Sequence, residues 1–394
     1  MLGHDVVLLH CCDFVQAPQL FRLQLLCHSV RRRLQAPDVW RQAFASEMRF
    51  ISCDLARGMA PLVSKMPPDL PSLSLRFRWC SLGLDSATLL ARHLPRGARR
   101  LQLAFRGCGL GEAAATALAE RMPPELESLY LTLRGCPIGG RGVKAVAEHL
   151  PKQLKELGLD FRDCRLPGIG LRYLAQQLQQ AESLQQLRLQ VGGCDMAAMD
   201  CKVIMSQLPH ESLRILHLGF ESCALGCAGA RAMAEALPQQ LEVLHLDLDW
   251  CNVQAEGASA LARHLPPFLR RLWLGLSGCS VGREGATALA KGLRELTLLE
   301  PRARVERGEE VSDLDQSATN LDTYVLKPWL TRERCHLDFS RCRIASVGCL
   351  RLLEALPQSL TALLLDVRGC AIHVEERGEL RDLLPEGLEA TLLF

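Results

Sequence analysis

The sequence predicts an α/β fold: a curved solenoid with a parallel sheet on its concave face, helices on its convex face, and a small helical segment at the N-terminus. Three observations carry this. A cysteine recurs at a near-constant interval: Cys80, Cys108, Cys136 and Cys164 are 28 residues apart, and Cys194, Cys223, Cys251 and Cys279 follow at 30, 29, 28 and 28. After a gap of 63 come Cys342 and Cys370, again 28 apart. Ahead of each cysteine apolar residues alternate, and behind it they fall at helical spacing. A fixed period of this kind marks a stack of repeats and shifts the functional expectation from a catalytic pocket to an extended binding surface.

Residues 1–49 do not fit the period. They read as short helices, HDVVLLHCCDFVQ, APQLFRLQLLCHSVRRRLQ and APDVWRQAF, with Leu20, Leu23 and Leu26 on one helix face. Asp5, Val7, Leu8, Leu9, Leu20, Leu26-Cys27, Val30 and Val39-Trp40 give this segment an order and spacing that resemble an F-box. It departs from that pattern in three ways. The usual Leu-Pro start is absent, Val30 stands where Trp is usual, and no acidic residue opens the second helix. The resemblance implies docking to a Skp-type linker protein through Leu8, Leu9, Leu20 and Val39. The alternative is a plain helical cap, which a repeat stack needs over its first apolar layer. Trp40 suits either reading.

The repeats occupy residues 50–394. Cys53, with Leu55 and Val63, reads as a degenerate first one, 27 residues before Cys80. In the others, apolar pairs such as Leu103/Phe105, Leu131/Leu133, Leu159/Phe161 and Leu246/Leu248 lie five and three residues before the cysteine. This alternation predicts a short strand with one buried face. Two residues after the cysteine comes an aliphatic residue, from Leu82 to Ile372. Pairs such as Leu90/Leu94, Val146/Leu150 and Leu261/Leu265, with Ala between them, then predict a helix packed on the next layer. A proline such as Pro95, Pro151 or Pro238 ends that helix. The cysteine ends the strand and points inward, where its thiol can donate to a buried carbonyl. Residues 126–151, LESLYLTLRGCPIGGRGVKAVAEHLP, resemble leucine-rich repeats of the ribonuclease-inhibitor type. That resemblance implies a protein-binding scaffold without fixing the partner. Residues 300–333 are charged and break the pattern, so they read as an inserted loop. Leu388–Phe394 reads as the last strand.

Between the buried strand residues lie those expected on the concave face. Two before the cysteine the column reads Arg78, Arg106, Arg134, Arg162, Gly192, Glu221, Asp249, Ser277, Ser340 and Arg368. Like charges opposite one another on adjacent strands repel, and an acidic partner would relieve this. The neighbouring columns supply Asp160 and Asp247, and further along Tyr130 and Trp273, aromatic types that often anchor interfaces. The face is thus expected to be basic over its first rungs and acidic from Glu221 onward. Copying of one Arg through repeat duplication accounts for the column equally well.

The net charge of +2 gives no case for general nucleic-acid binding, and no apolar run reaches the length of a membrane span. No export signal is read, and ten of the 18 cysteines serve one repeat position, so a reduced cytoplasmic or nuclear protein is expected. No phosphate-binding loop, zinc-protease or nucleophile-elbow motif occurs, so no catalytic, cofactor-binding or metal-binding residue is assigned. His10-Cys11-Cys12 lacks partner ligands. The expected function is non-catalytic protein recognition by a chain monomeric on its own. The F-box resemblance implies a substrate receptor of a cullin-type ubiquitin ligase. With a cap at residues 1–49 instead, the chain would be a regulator or inhibitor that binds an enzyme or small GTPase directly.

Overall fold

The computed structural model describes residues 41, 44, 47–51, 55–295, 334–356, 360–385 and 387–394. The proposed linker-docking residues Leu8, Leu9, Leu20 and Val39, the degenerate-repeat Cys53 and the inserted segment 300–333 lie outside these residues.

The chain divides into two compact units, one of residues up to Leu213 with His217–Cys223, the other of Arg214–Leu216 with Ala224–Phe394. In the first, β1 (Glu47–Ile51), α1 (Leu55–Val63), β2 (Ser72–Arg78), α2 (Leu84–His93), β3 (Arg100–Arg106) and α3 (Glu112–Ala119) alternate along the chain. They are followed by β4 (Ser128–Thr132), α4 (Gly139–Glu148), β5 (Glu156–Asp160), α5 (Gly168–Leu178), β6 (Gln186–Gln190) and α6 (Ala198–Ser206). Strand β7 (Ile215–Gly219) falls at the division. The second unit holds α7 (Gly226–Glu235), β8 (Val243–Asp247), α8 (Gln254–Arg263), β9 (Arg271–Gly275) and α9 (Gly282–Glu295). It continues through β10 (Arg334–Asp338), α10 (Ala345–Glu354), β11 (Ala362–Asp366), α11 (Glu376–Asp382) and β12 (Glu389–Leu393).

Each unit is a stack of strand–turn–helix rungs, the α/β leucine-rich-repeat architecture expected from the sequence. Strands β1 to β6 pair in parallel in chain order, as do β8 to β12. The register places equivalent repeat positions side by side. Leu75, Leu103, Leu131, Leu159 and Leu189 form one row in the first unit, and Leu246, Leu274, Leu337 and Leu365 form one in the second. These leucines are buried, because each strand has one face toward the helices.

The residue three before the cysteine forms a second buried row. In the first unit its aromatic members stack: Phe50 on Phe77 with centroids 4.9 Å apart, and Phe77 on Phe105 at 5.3 Å. Beside this row runs the cysteine ladder. The thiol of Cys108 donates to the Phe77 carbonyl at 3.3 Å, Cys136 to Phe105 at 3.0 Å and Cys164 to Leu133 at 3.0 Å. In the second unit Cys279 reaches Leu248 at 2.9 Å and Cys370 reaches Phe339 at 2.9 Å. Each acceptor belongs to the preceding rung, so the cysteine ties one rung to another. Burial pushes the thiols of Cys164, Cys223 and Cys342 up to about 12, so they remain protonated donors.

Glycine early in the helices allows close stacking. A Cβ on Gly257 in α8 would lie 2.9 Å from Ala230 Cβ in α7. A larger side chain there would push the two helices apart.

Phe77 is in contact with an aromatic ring on each side, so Phe77→Ala is expected to lower stability by about 3–5 kcal/mol. Urea unfolding of the full chain checks this; a loss below ~1 kcal/mol would show that the aromatic row does not hold neighbouring rungs together.

Candidate partner-binding face

The strand residues that do not point into the core form the candidate face. Arg78 and Arg106 stand opposite one another on β2 and β3, as the repeat register requires. Arg78 is exposed and Arg106 half-buried. The next two members of the column behave differently. Arg134 donates through Nε to Asp163 at 3.0 Å. Arg162 grips Asp160 with two bonds, Nε to Oδ1 at 3.0 Å and Nη2 to Oδ2 at 2.7 Å, and lies 3.9 Å from Glu221. The anticipated repulsion among four arginines is therefore relieved within the chain at Arg134 and Arg162. Carboxylates from the same rung or later rungs supply the counter-charge. Glu221 lies across Gly192, the rung at which the arginine column is interrupted.

Tyr130 departs from the expected exposed anchor. It is buried, its hydroxyl accepts a hydrogen bond from Gln186 Nε2 at 3.2 Å, and its ring fills the space above Gly158. A glycine on the following strand lets the ring lie flat, and Gln186 then satisfies its polar end. Sequence reading also missed the buried pair beside it, in which Ser128 Oγ donates to Glu156 Oε2 at 2.8 Å.

The aspartates four before the cysteine share one local job. Asp160 accepts from the backbone N–H of Arg162 at 3.1 Å, and Asp247 from that of Asp249 at 3.2 Å. Asp338 accepts from the N–H of Ser340 at 2.8 Å, and Asp366 from that of Arg368 at 3.1 Å. This i to i+2 bond is an Asx-type turn that satisfies a donor where the strand ends. Asp249 itself accepts from the Ser277 N–H at 2.8 Å on the next rung. The spacing was visible in the strings LDFR, LDLD, LDFS and LDVR, but reads there as a charge column. Asp160 and Asp247 thus have a structural role independent of any partner.

Trp273 is half-buried in the second unit. His245, Trp273 and His336 occupy one register position on β8, β9 and β10. His245 stacks on the indole with centroids 3.9 Å apart, and His336 meets it edge-on at 5.2 Å. A Cβ on Gly275 would crowd this ring, so the glycine gives it room. Burial lowers the pKa of His336 to about 4, against the opposing pull of Asp338 and Asp366. The ring is therefore neutral at pH 7.

Among the described residues, no group of three or more His, Cys, Asp or Glu side chains could hold a metal ion. No described helix is long and apolar enough to cross a membrane.

For His336 the unfolded state, with its ordinary pKa of 6.5, binds a proton more readily than the folded state. Its contribution to stability is intact above the unfolded value and is lost as the pH falls toward the folded one. Replacing it by Gln is expected to shrink the drop in Tm between neutral pH and pH ~4.5. Thermal unfolding of both proteins across that range checks this; equal drops would place the acid sensitivity elsewhere.

A leucine-rich repeat family model matches residues 243–262, which include β8 and most of α8. No curated protein gives a significant sequence match. Among solved structures, the chain is similar to the leucine-rich repeat-containing protein LegL7 from Legionella pneumophila, with a TM-score of 0.47 and 14% identity. That likeness covers 85% of this chain and 97% of the other. It is also similar to a chain in the yeast Rad7 and Elc1 complex, with a TM-score of 0.46 and 16% identity over 94% of this chain and 87% of that one.

Proposed function

We propose that this protein is a non-catalytic recognition module that holds an acidic segment of a protein substrate, and that it serves as an F-box-type substrate receptor of a cullin ubiquitin ligase. The observation that carries the recognition reading is the charge of β2 and β3. These strands contain Arg76, Arg78, Arg100 and Arg106 and no carboxylate. Further along the column, Arg134 and Arg162 are held by carboxylates of the chain itself. The receptor reading is supported by the F-box-like order of residues 1–49, with Leu8, Leu9, Leu20 and Val39 as the docking residues for a Skp-type linker. The protein itself would do no chemistry. It would raise the concentration of substrate beside the transferase by holding both.

Two measurements test this. The full chain is expected to bind a purified Skp-type linker tightly and to lose that binding with Leu20→Asp. A well-folded chain that does not bind the linker would remove the receptor reading and leave residues 1–49 as a cap. Charge reversal of Arg78 and Arg106 together is expected to abolish capture of acidic peptides without changing the circular dichroism of the chain. Unchanged capture would sink the basic-face reading.

A further inference from the structure

The residue just before the repeat cysteine has a constrained backbone. At every described rung from Cys80 to Cys370 it lies in the left-handed region, with φ between 55° and 71°. In this conformation the residue makes a main-chain bond to the next rung. Trp79 N–H donates to the Arg106 carbonyl at 2.9 Å, Gly107 N–H to Arg134 at 2.9 Å and Gly135 N–H to Arg162 at 2.9 Å. In the second unit Trp250 N–H donates to Ser277 at 2.8 Å and Gly278 N–H to Ser340 at 2.9 Å.

Glycine suits this backbone and occupies the position at Gly107, Gly135, Gly193, Gly278 and Gly369. Asp163 and Ser222 are small polar substitutes, and Arg341 occupies the position with its guanidinium 5.7 Å from the Trp250 ring centroid. A bulky aromatic is the least suited residue. Yet Trp79 has φ 55° in the first unit and Trp250 has φ 60° in the second. Neither is there to fill the core, since they are 57% and 54% exposed. Each indole instead lies across the glycine of the next rung: Trp79 over Gly107, and Trp250 over Gly278. Each unit therefore displays one flat aromatic surface at the end of its strands, in a backbone setting where glycine would be easier to accommodate.

Strain at an exposed side chain that the core does not require points to use by a partner. Trp79 offers the clearer chemistry. It follows the exposed Arg78 directly and sits at the end of the two strands that carry four arginines and no carboxylate. Tryptophan and arginine are also the side chains most enriched at the centres of protein interfaces.

We infer that Trp79, at the turn after β2, is the apolar anchor of the docking surface for an acidic protein segment, with Arg78 beside it supplying the charge. The anchor thus lies on the turn at the end of the strands, and not at Tyr130 within the sheet. This rests on the acidic-substrate reading above and adds the residue that fixes where the segment sits.

The test selects binders to the full-length protein from a random-peptide library displayed on phage, then measures the selected peptides against Trp79→Gly and Trp79→Asn. Both replacements tolerate the left-handed backbone. Acidic peptides are expected to be enriched and to bind both variants at least roughly tenfold more weakly, while the Tm of each variant equals or exceeds that of the parent. Acidic peptides that bind the variants as well as the parent would overturn the role of Trp79 and leave the acidic-partner reading standing. A lower Tm in both variants would make the indole a packing element and would also overturn the inference. Selection without acidic enrichment would remove the acidic-partner reading, and this inference with it.

Discussion

A rung of this protein cannot bury its own apolar faces, and everything else follows from that constraint. The leucine row of one strand is covered by its own helix and by the rungs on either side. The thiol of Cys136 and the ring of Phe77 likewise have their partners on neighbouring rungs. Sequence period therefore becomes spatial register, and a residue type repeated along the chain becomes a row across the sheet. Function is written in the same way. A binding surface here is a set of rows whose side chains vary while the rows beneath them stay fixed.

What could be read from the sequence was what repeats. The cysteine interval placed every described strand from β2 to β11, and the paired leucines placed the buried faces. Less legible were the interactions between unlike rungs. Tyr130 looked like an exposed anchor because its burial depends on a glycine one rung on, Gly158, and an amide two rungs on, Gln186. Arg162 looked unpaired until Asp160 and Glu221 closed around it. The aspartates were visible, but a column of carboxylates and a series of turn-closing acceptors leave the same trace in a sequence. Backbone conformation left only an indirect trace: glycine stands before Cys108, Cys136, Cys194, Cys279 and Cys370, while the tryptophans before Cys80 and Cys251 conceal the same left-handed geometry.

The face that results separates scaffold from display. Positions five and three before each cysteine are buried, the position four before it often closes the turn, and the positions two and one before it carry side chains that differ from rung to rung. Arg78 and Trp79 occupy the last two. Arg134 and Arg162 occupy the first of these at later rungs, where carboxylates of the chain neutralise them. Similar repeats thus present different chemistry without altering the stack.

The cysteine ladder also governs what happens when the stack is lost. Fourteen cysteines among the described residues form no disulfide, and all but Cys227 are buried. Folded, thiols such as those of Cys164 and Cys342 are poor nucleophiles, since burial keeps them protonated. Unfolding would expose a whole series of thiols on one chain, each able to form disulfides with many others. Under oxidising conditions such a chain would be trapped by mispaired bonds before it could restack. Its working lifetime there would depend on how seldom it opens, a property of the barrier to unfolding and not of the equilibrium.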